Sequence, residues 1–173
     1  MENQRTFDEI DLKILTILQE KARIPNAEVA RQVGMAPSAV LERIRKLEER
    51  GVIEGYEVRL NPDRFGQSLS AFVTVSTGRG AHPRLSEDLA VVPGVQEVHQ
   101  ISGEDGYLVK LRLSGPTELG RILREELPAI PGVLSTRTQV VLSTVKETRR
   151  LDLSSKKENG KSHFSADIES HSG

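Results

Sequence analysis

The side chains best suited to bind a polyanion lie together in residues 37–50. They combine cationic groups, which attract phosphates, with small residues that let a helix approach base edges closely. A step of 100° per residue gathers them on one side of a predicted helix. The side consists of Ser38, Ala39, Glu42, Lys46, Glu49 and Arg50, with Arg43 and Arg45 on its flanks. Such a surface is typical of a helix that enters the major groove of double-stranded DNA.

A tight turn precedes this helix. Gly34 ends an earlier helix, because glycine enters the left-handed region at little cost, and Pro37 begins the next one, where no backbone N–H is needed. The helical wheel alone is equally compatible with an ordinary solvated helix that carries a Glu42–Lys46 surface pair. The turn spacing and the small residues at the helix start favour a helix-turn-helix instead.

Three helices are predicted to position that surface. The first spans residues 8–22 with Asp8 as its N-cap, and the second begins with Asn26 as its cap. Apolar residues at helical spacing are predicted to form their common core. They are Ile10, Ile14, Leu15, Ile17, Leu18, Val29, Ala30, Val33, Val40, Leu41, Ile44 and Leu47. The third helix is predicted to end at Gly51, and the period-two alternation of residues 52–60 predicts a strand or an extended wing.

The second half of the chain combines strands and helices in another order. Strands are predicted at residues 69–76, 95–102, 107–113 and 133–145, and helices at residues 84–91 and 117–127. The order β-α-β-β-α-β is the ferredoxin-like arrangement. A repeated Pro-Gly turn, at residues 93–94 and 131–132, lies before a predicted strand each time, as two similar βαβ halves would require.

The predicted fold class is therefore α+β with two domains. A winged helix-turn-helix domain is expected at residues 1–60, a linker at residues 61–67 and a ferredoxin-like domain at residues 68–153. Residues 154–173 are rich in Ser, Lys, Glu and Gly and lack periodicity, which predicts a disordered tail.

Composition excludes several classes of protein. The net charge of −1 provides no global basic field, so DNA affinity must come from a local patch. The chain has no cysteine, which excludes a disulfide framework and a Cys-ligated metal, and we expect neither metal nor cofactor. A polar start and the lack of a long apolar run predict a cytoplasmic protein without a membrane partner.

Both faces of the predicted sheet carry apolar residues. In the first strand, Leu69, Ala71, Val73 and Val75 alternate with Phe72, Thr74 and Ser76. Two partly apolar faces on a small sheet predict burial against a second copy of the chain, hence a homodimer. A monomer with a lightly covered sheet is the alternative.

Short motifs in both halves resemble one known family. The motifs are DLKIL at residues 11–15, LERIRKLE at 41–48, GVI at 51–53, GY at 55–56, LNP at 60–62, SGEDGY at 102–107 and TRT at 136–138. Together they are similar to the Lrp/AsnC (feast/famine) transcription regulators of prokaryotes. The similarity covers nearly all of residues 7–153.

The resemblance implies a sequence-specific DNA-binding regulator that is not an enzyme. Members dimerise through the ferredoxin-like domain, commonly form octamers, and bind a small effector, usually an amino acid, between subunits. By position, the implied DNA-binding residues are Pro37, Ser38, Ala39, Glu42, Arg43, Arg45 and Lys46. The implied effector-binding residues are Gly103, Glu104, Asp105, Gly106, Tyr107, Thr136 and Thr138.

The implied effector chemistry suits an amino acid. A glycine-bearing loop offers backbone N–H groups to a carboxylate, and an acidic side chain can hold an α-ammonium. The chain departs from the family at two positions. Gly106 stands where many members have an acidic or bulky residue, and Ala36 stands where the better N-cap Ser is usual.

Two other functions fit the same architecture. Proteins that resemble the family in both domains act as sirohaem decarboxylases, which keeps catalysis open as an alternative. The candidate catalytic residues are His82, His99, Tyr107, Arg112 and Arg137. Their spacing forms no recognisable acid–base pair. A metabolite-binding module without DNA binding is the other alternative, which the complete helix-turn-helix disfavours.

Overall fold

The computed structural model describes residues 7–78, 83–103 and 105–154, with residue 105 described by its backbone alone. The chain divides into two compact units. The first unit consists of the chain up to Val58 together with the segment that begins at Thr148. The second unit is Arg59–Glu147. The segment after Glu147 groups with the N-terminal helices, and the sequence-based domain boundaries at residues 60 and 153 stay predictions. Most of the predicted tail lies outside the described residues.

The described residues of the first unit form three helices: α1 (Glu9–Glu20), α2 (Asn26–Val33) and α3 (Pro37–Glu49). Asp8 caps α1 as predicted, since its Oδ1 accepts a hydrogen bond of 2.7 Å from the Asp11 N–H. Gly34 ends α2 in the left-handed region at φ +71°. The cap of α2 is Pro25 rather than the predicted Asn26, because the Pro25 carbonyl accepts from the first free N–H groups, those of Glu28 and Val29.

The helices pack around one apolar core. Its buried residues are Ile14, Leu18, Val29, Ala30, Val40 and Ile44. The prediction that Leu41 belongs to this core is wrong, because 45% of its surface is exposed. The buried positions of α3 are Val40, Ile44 and Leu47, and one residue step turns Leu41 by about 100° away from that side.

The segment after α3 differs from its prediction. Residues 54–60 form no strand, since no described segment pairs with them, and extended chain needs a partner to complete a ladder. Tyr56 fastens the segment to α3 by donating a hydrogen bond of 2.9 Å to Glu48 Oε1. Burial, followed by this acceptor, raises the pKa of Tyr56 to about 12. The predicted linker contains one 3₁₀ turn, Pro62–Phe65.

The second unit has the predicted β-α-β-β-α-β order. Its strands are β1 (Leu69–Thr77), β2 (Val95–Gln100), β3 (Asp105–Leu113) and β4 (Val133–Val140). They form one antiparallel sheet in the order β2-β3-β1-β4. Helix α4 (Leu85–Ala90) joins β1 to β2. The second helical connection consists of α5 (Pro116–Arg121), a π-helical turn (Ile122–Glu126) and α6 (Leu127–Ala129).

The two faces of the sheet differ in polarity. The helices cover a buried layer that includes Val73, Val75, Val109 and Leu111. On the other face, β3 contributes two charged residues, which the prediction from the first and last strands did not include. Lys110 lies opposite Phe72, and Arg112 lies opposite Ser70. This face is therefore more polar than predicted.

The turn between α4 and β2 can be tested at Gly94. A Cβ there would lie 2.3 Å from Leu113 Cδ2 and 2.9 Å from the Arg112 carbonyl oxygen, at φ +80°. We expect Gly94→Ala to lower the free energy of unfolding by about 3 kcal/mol in urea titrations, because left-handed strain and overlap add. The control Gly66→Ala has φ +67° and open space, so its loss should be about 1 kcal/mol. Equal losses would contradict this account.

Candidate functional sites

Helix α3 presents a continuous polar surface. Pro37, Ser38, Glu42, Arg45 and Lys46 are exposed, whereas Ala39 and Arg43 are half-buried. No side chain caps the helix at Ala36, as the loss of the usual serine predicts, and the Ala36 carbonyl accepts from the N–H groups of Ala39 and Val40 instead. The predicted DNA-binding residues thus share one helix, whose opposite side is held in the core.

Arg43 is the exception among these residues because it is already paired. Its Nη1 donates to Asp8 Oδ2 at 2.7 Å and to Asp11 Oδ1 at 2.8 Å, and 29% of its side chain is exposed. Donation to Asp11, and then to Asp8, raises the pKa of Arg43. We call this arrangement the Arg43 fork. It fixes the middle of α3 to the beginning of α1, which the sequence did not indicate.

The other cations of α3 are held more loosely. Lys46 Nζ lies 3.5 Å from Glu42 Oε1, and both side chains are mostly exposed, so this pair contributes little stability. Arg45 is exposed on the flank, and the Arg50 guanidinium lies 5.4 Å from the centre of the Phe7 ring. The Glu42–Lys46 pair can therefore open at small cost when a phosphate or a base edge approaches.

The second candidate site lies on β3 and β4. Tyr107 and Thr136 are both in register with Val75, and Thr138 is in register with Val73. These three side chains consequently lie on one face of the sheet, with Tyr107 and Thr136 about 10 Å apart across β1. Gly103 precedes β3 at φ +112°. Glu104 and the side chain of Asp105 lie outside the described residues, so their predicted place in this site has no structural test.

Gly106 has a steric reason to lack a side chain. It lies at the irregularity where the register of β1 against β3 shifts between Val75 and Ser76. A Cβ at residue 106 would lie 2.6 Å from Thr77 Oγ1 and 3.0 Å from Thr77 Cγ2. Thr77, which sequence reasoning missed, fills the place that a side chain at position 106 would take.

Residues 7–54 match a family described as winged helix-turn-helix DNA-binding, and residues 70–151 match the Lrp/AsnC ligand binding domain. A leucine-responsive regulatory protein of Salmonella typhimurium is 40% identical over 150 residues, covering 85% of this chain and 92% of that protein. A transcriptional regulator of Neisseria meningitidis, solved with L-Met, superimposes with a TM-score of 0.81 at 29% identity, covering 86% of this chain and 98% of that chain. The leucine response regulatory protein of Mycobacterium tuberculosis superimposes with a TM-score of 0.71 at 28% identity, and the match covers 84% of this chain and 99% of that chain.

The exposed face of α3 and the ligand-binding domain define a DNA-binding transcription regulator that responds to a small molecule. The chain belongs to the Lrp/AsnC family. Its relatives are regulators, which decides against the enzymatic alternative and confirms the predicted function and fold class. The chain matches both the DNA-binding and the ligand-binding families, which decides against the alternative of a metabolite-binding module without DNA binding.

No helix among the described residues combines the length and apolar character required to cross a membrane. In the same ranges, no group of three acidic or histidine residues is arranged to hold a metal ion. Of the candidate catalytic groups, His99 contacts Glu97 at 3.1 Å on the open face of the sheet, and His82 lies outside the described residues.

The Arg43 fork predicts an acid-sensitive contribution to stability. The Asp11 N–H, with help from Arg43, lowers the pKa of Asp8 below its ordinary 3.8. A lowered folded-state pKa stabilises the fold above the ordinary value and loses that effect as pH falls through the lowered one. Asp8→Asn keeps a good cap, so we expect it to cost less than about 1 kcal/mol at pH 7 in urea titrations. The difference from the parent chain should shrink below pH 3.8, and a constant difference would refute the assignment.

The packing of Gly106 against Thr77 predicts a compensating pair of substitutions. Gly106→Ala should lower the free energy of unfolding by about 1–2 kcal/mol, because Thr77 must move. Adding Thr77→Ala removes both close atoms and leaves only a Cβ at 3.4 Å. In a double-mutant cycle we expect a coupling of about 1 kcal/mol or more. Additive losses would show that Thr77 does not occupy this space.

Proposed function

We propose that the chain recognises its operator through the exposed side of α3. The observation that carries this proposal is the division of that helix: Val40, Ile44 and Leu47 are buried, while Ser38, Glu42, Arg45 and Lys46 face outward. A helix held on one side by a core and polar on the other can enter a major groove without losing its packing.

The predicted residues take different roles in this proposal. Pro37, Ser38 and Ala39 form the leading end, where small side chains approach base edges or a thymine methyl. Arg45 and Lys46 contact phosphates or guanine, and Glu42 accepts from cytosine once its pair with Lys46 opens. Arg43 acts mainly by positioning, because two carboxylates already hold its Nη1.

The working form is proposed to be a homodimer that assembles further into an octamer, in the cytoplasm. The support is the family resemblance and the exposed apolar surface along and after β4, where Leu134 and Val140 are exposed and Leu142 is 98% exposed. Apolar side chains left in water on a folded domain favour contact with another copy. A two-fold dimer would bind operators with two-fold symmetric half-sites.

The effector is proposed to be an amino acid bound near the β2–β3 loop. The L-Met bound to the Neisseria relative supports this class of ligand. The backbone of Gly103 and Gly106 can donate to a carboxylate, while hydroxyl groups of Tyr107, Thr136 and Thr138 supply donors and acceptors on one face of the sheet. Glu104 and Asp105 are proposed to hold the α-ammonium by family position alone.

Operator binding is tested by gel shift of DNA from upstream of the chain's own gene. We expect Arg45→Ala and Lys46→Ala each to weaken binding by about 1–3 kcal/mol, because each removes a cation from the groove-facing side. Arg43→Ala should weaken binding by a similar amount and also lower the unfolding midpoint, because it breaks the fork. The control Arg84→Ala removes a mostly exposed cation, paired with Glu87, from the second unit. Losses no larger than that of the control would contradict the proposed interface.

Effector binding is tested separately by calorimetry with L-methionine, L-leucine and the other common amino acids. At least one should bind, and Thr136→Val should weaken it about tenfold or more, because the isosteric side chain cannot hydrogen-bond. The control Ser114→Ala changes a hydroxyl that pairs with Glu118, away from β4. Binding that is indifferent to Thr136→Val would contradict the proposed site, and no binding by any amino acid would contradict the proposed ligand class.

A further inference from the structure

The chain returns to the first unit at its C-terminal end and docks on α1. Residues 148–154, which we call the C-terminal strap, group with the N-terminal helices. The Gln19 side chain holds the Leu151 backbone at two points: Gln19 Nε2 donates to the Leu151 carbonyl at 3.2 Å, and the Leu151 N–H donates to Gln19 Oε1 at 2.7 Å. Such a two-point contact fixes the strap in one register along α1.

Two arginines extend this docking. Arg150 Nη2 donates to the Glu20 carbonyl at 3.3 Å, which satisfies one of the carbonyl groups left free at the end of α1. Arg149 Nη1 pairs with Glu57 at 2.9 Å. The strap therefore contacts α1 and the segment that follows α3, and both of these belong to the DNA-binding unit.

The strap begins at a residue that the second unit holds. Glu147, the last residue of that unit, accepts a hydrogen bond from Lys110 and lies 3.9 Å from Arg112 Nη2. Both cations lie on β3, the strand that begins with the proposed effector residues. The bond from Lys110 lowers the pKa of Glu147, which is therefore charged at neutral pH. Because Glu147 and Thr148 are joined by a peptide bond, the ion cluster on β3 is linked directly to the strap.

The docking is weak enough to be reversible. Leu151 is 72% exposed, and the Arg149–Glu57 pair is exposed on both sides. A groove of about 480 Å³ remains open between α1 and the strap. Elements with exposed hydrogen bonds and few buried contacts lie at the low-stability end of a fold, where a ligand can shift their population.

Helix α1 has a second anchor at its other end. Asp8 and Asp11, at its N-terminal end, hold Arg43 of α3 through the fork, whereas Gln19 and Glu20, at its C-terminal end, hold the strap. The helix is about 18 Å long and behaves as a rod over that distance. The same helix therefore contacts the strap at one end and the recognition helix at the other.

We propose that the C-terminal strap couples the effector-binding unit to the recognition helix: Glu147 holds its beginning on β3, Gln19 and the Glu20 carbonyl hold it on α1, and α1 transmits the change to Arg43. This inference rests on the proposed function for the role of α3. It concerns the regulation of DNA binding and adds no new ligand.

The first test compares two shortened chains by hydrogen exchange of the amides of residues 17–21. A chain that ends at Ser154 keeps the strap, and one that ends at Glu147 lacks it. We expect these amides to exchange about tenfold faster in the chain ending at Glu147, because the contacts of Gln19 and Arg150 are lost. The chain ending at Ser154 should exchange like the full chain. Equal rates in the two shortened chains would overturn the proposal.

The second test keeps the full chain and uses two matched variants that both lose a carboxylate partner of Lys110. Glu147→Gln acts at the beginning of the strap, whereas Glu97→Gln, which removes a partner at 3.0 Å, acts on β2. We expect Glu147→Gln to speed exchange at residues 17–21 about threefold and Glu97→Gln to leave it unchanged. Equal exchange rates at residues 17–21 in the two variants would show that Glu147 is only a local partner of Lys110, and would overturn the proposed coupling. Neither test uses DNA or effector, so a failure here is distinct from a failure of the proposed function.

Discussion

The Arg43 fork is the interaction on which the arrangement of the first unit depends. One guanidinium nitrogen donates to two carboxylates at the N-terminal end of α1, and one of those carboxylates, Asp8, also caps that helix. The apolar core decides which side of α3 is buried, but apolar contacts are non-directional and leave some freedom of rotation and sliding. A charge-assisted bond has a direction. It therefore sets the azimuth of α3 about its own axis within the first unit.

This arrangement gives one helix two tasks on opposite sides. The core side must repeat at positions Val40, Ile44 and Leu47, and the outer side is then free to carry Ser38, Glu42 and Lys46. Arg43 lies between the two sides, half-buried, where it can reach the acidic start of α1. The net charge of −1 for the whole chain is consistent with this plan, because DNA affinity then comes from a shaped local surface rather than a basic coat.

Local patterns predicted much of the fold, because the period and the turn residues that mark each element lie within its own sequence. The three helices, the glycine turn at Gly34 and the four strands follow from period and turn chemistry. The exposure of Leu41 could have been deduced from a stricter helical wheel. The lack of strand pairing at residues 54–60 could not have been deduced in this way. Alternation of apolar and polar residues predicts an extended chain, but it does not reveal whether a partner strand is present.

The features missed from the sequence are long-range contacts between side chains. The Arg43 fork joins residues more than thirty positions apart, and Thr77 meets Gly106 only because the strand register shifts there. The docking of Leu151 on Gln19 spans 132 positions. No periodicity encodes such pairs, since each partner also satisfies its local pattern without the other. The same limit applies to the effector site, where the sequence indicated the loop and the strands but not the residue that shapes the space beside Gly106.

The most direct test of the account is selection of bound sequences from a random DNA library, performed with the parent chain and with Asp11→Asn. That variant weakens the fork at its more buried carboxylate and leaves every exposed residue of α3 unchanged. If Arg43 serves chiefly to position α3, both chains should select the same two-fold symmetric motif. The ratio of operator to random-DNA affinity should nevertheless fall in the variant. A motif altered at particular bases would show that Arg43 reads DNA itself, and an unchanged ratio would show that the fork does not control the recognition helix.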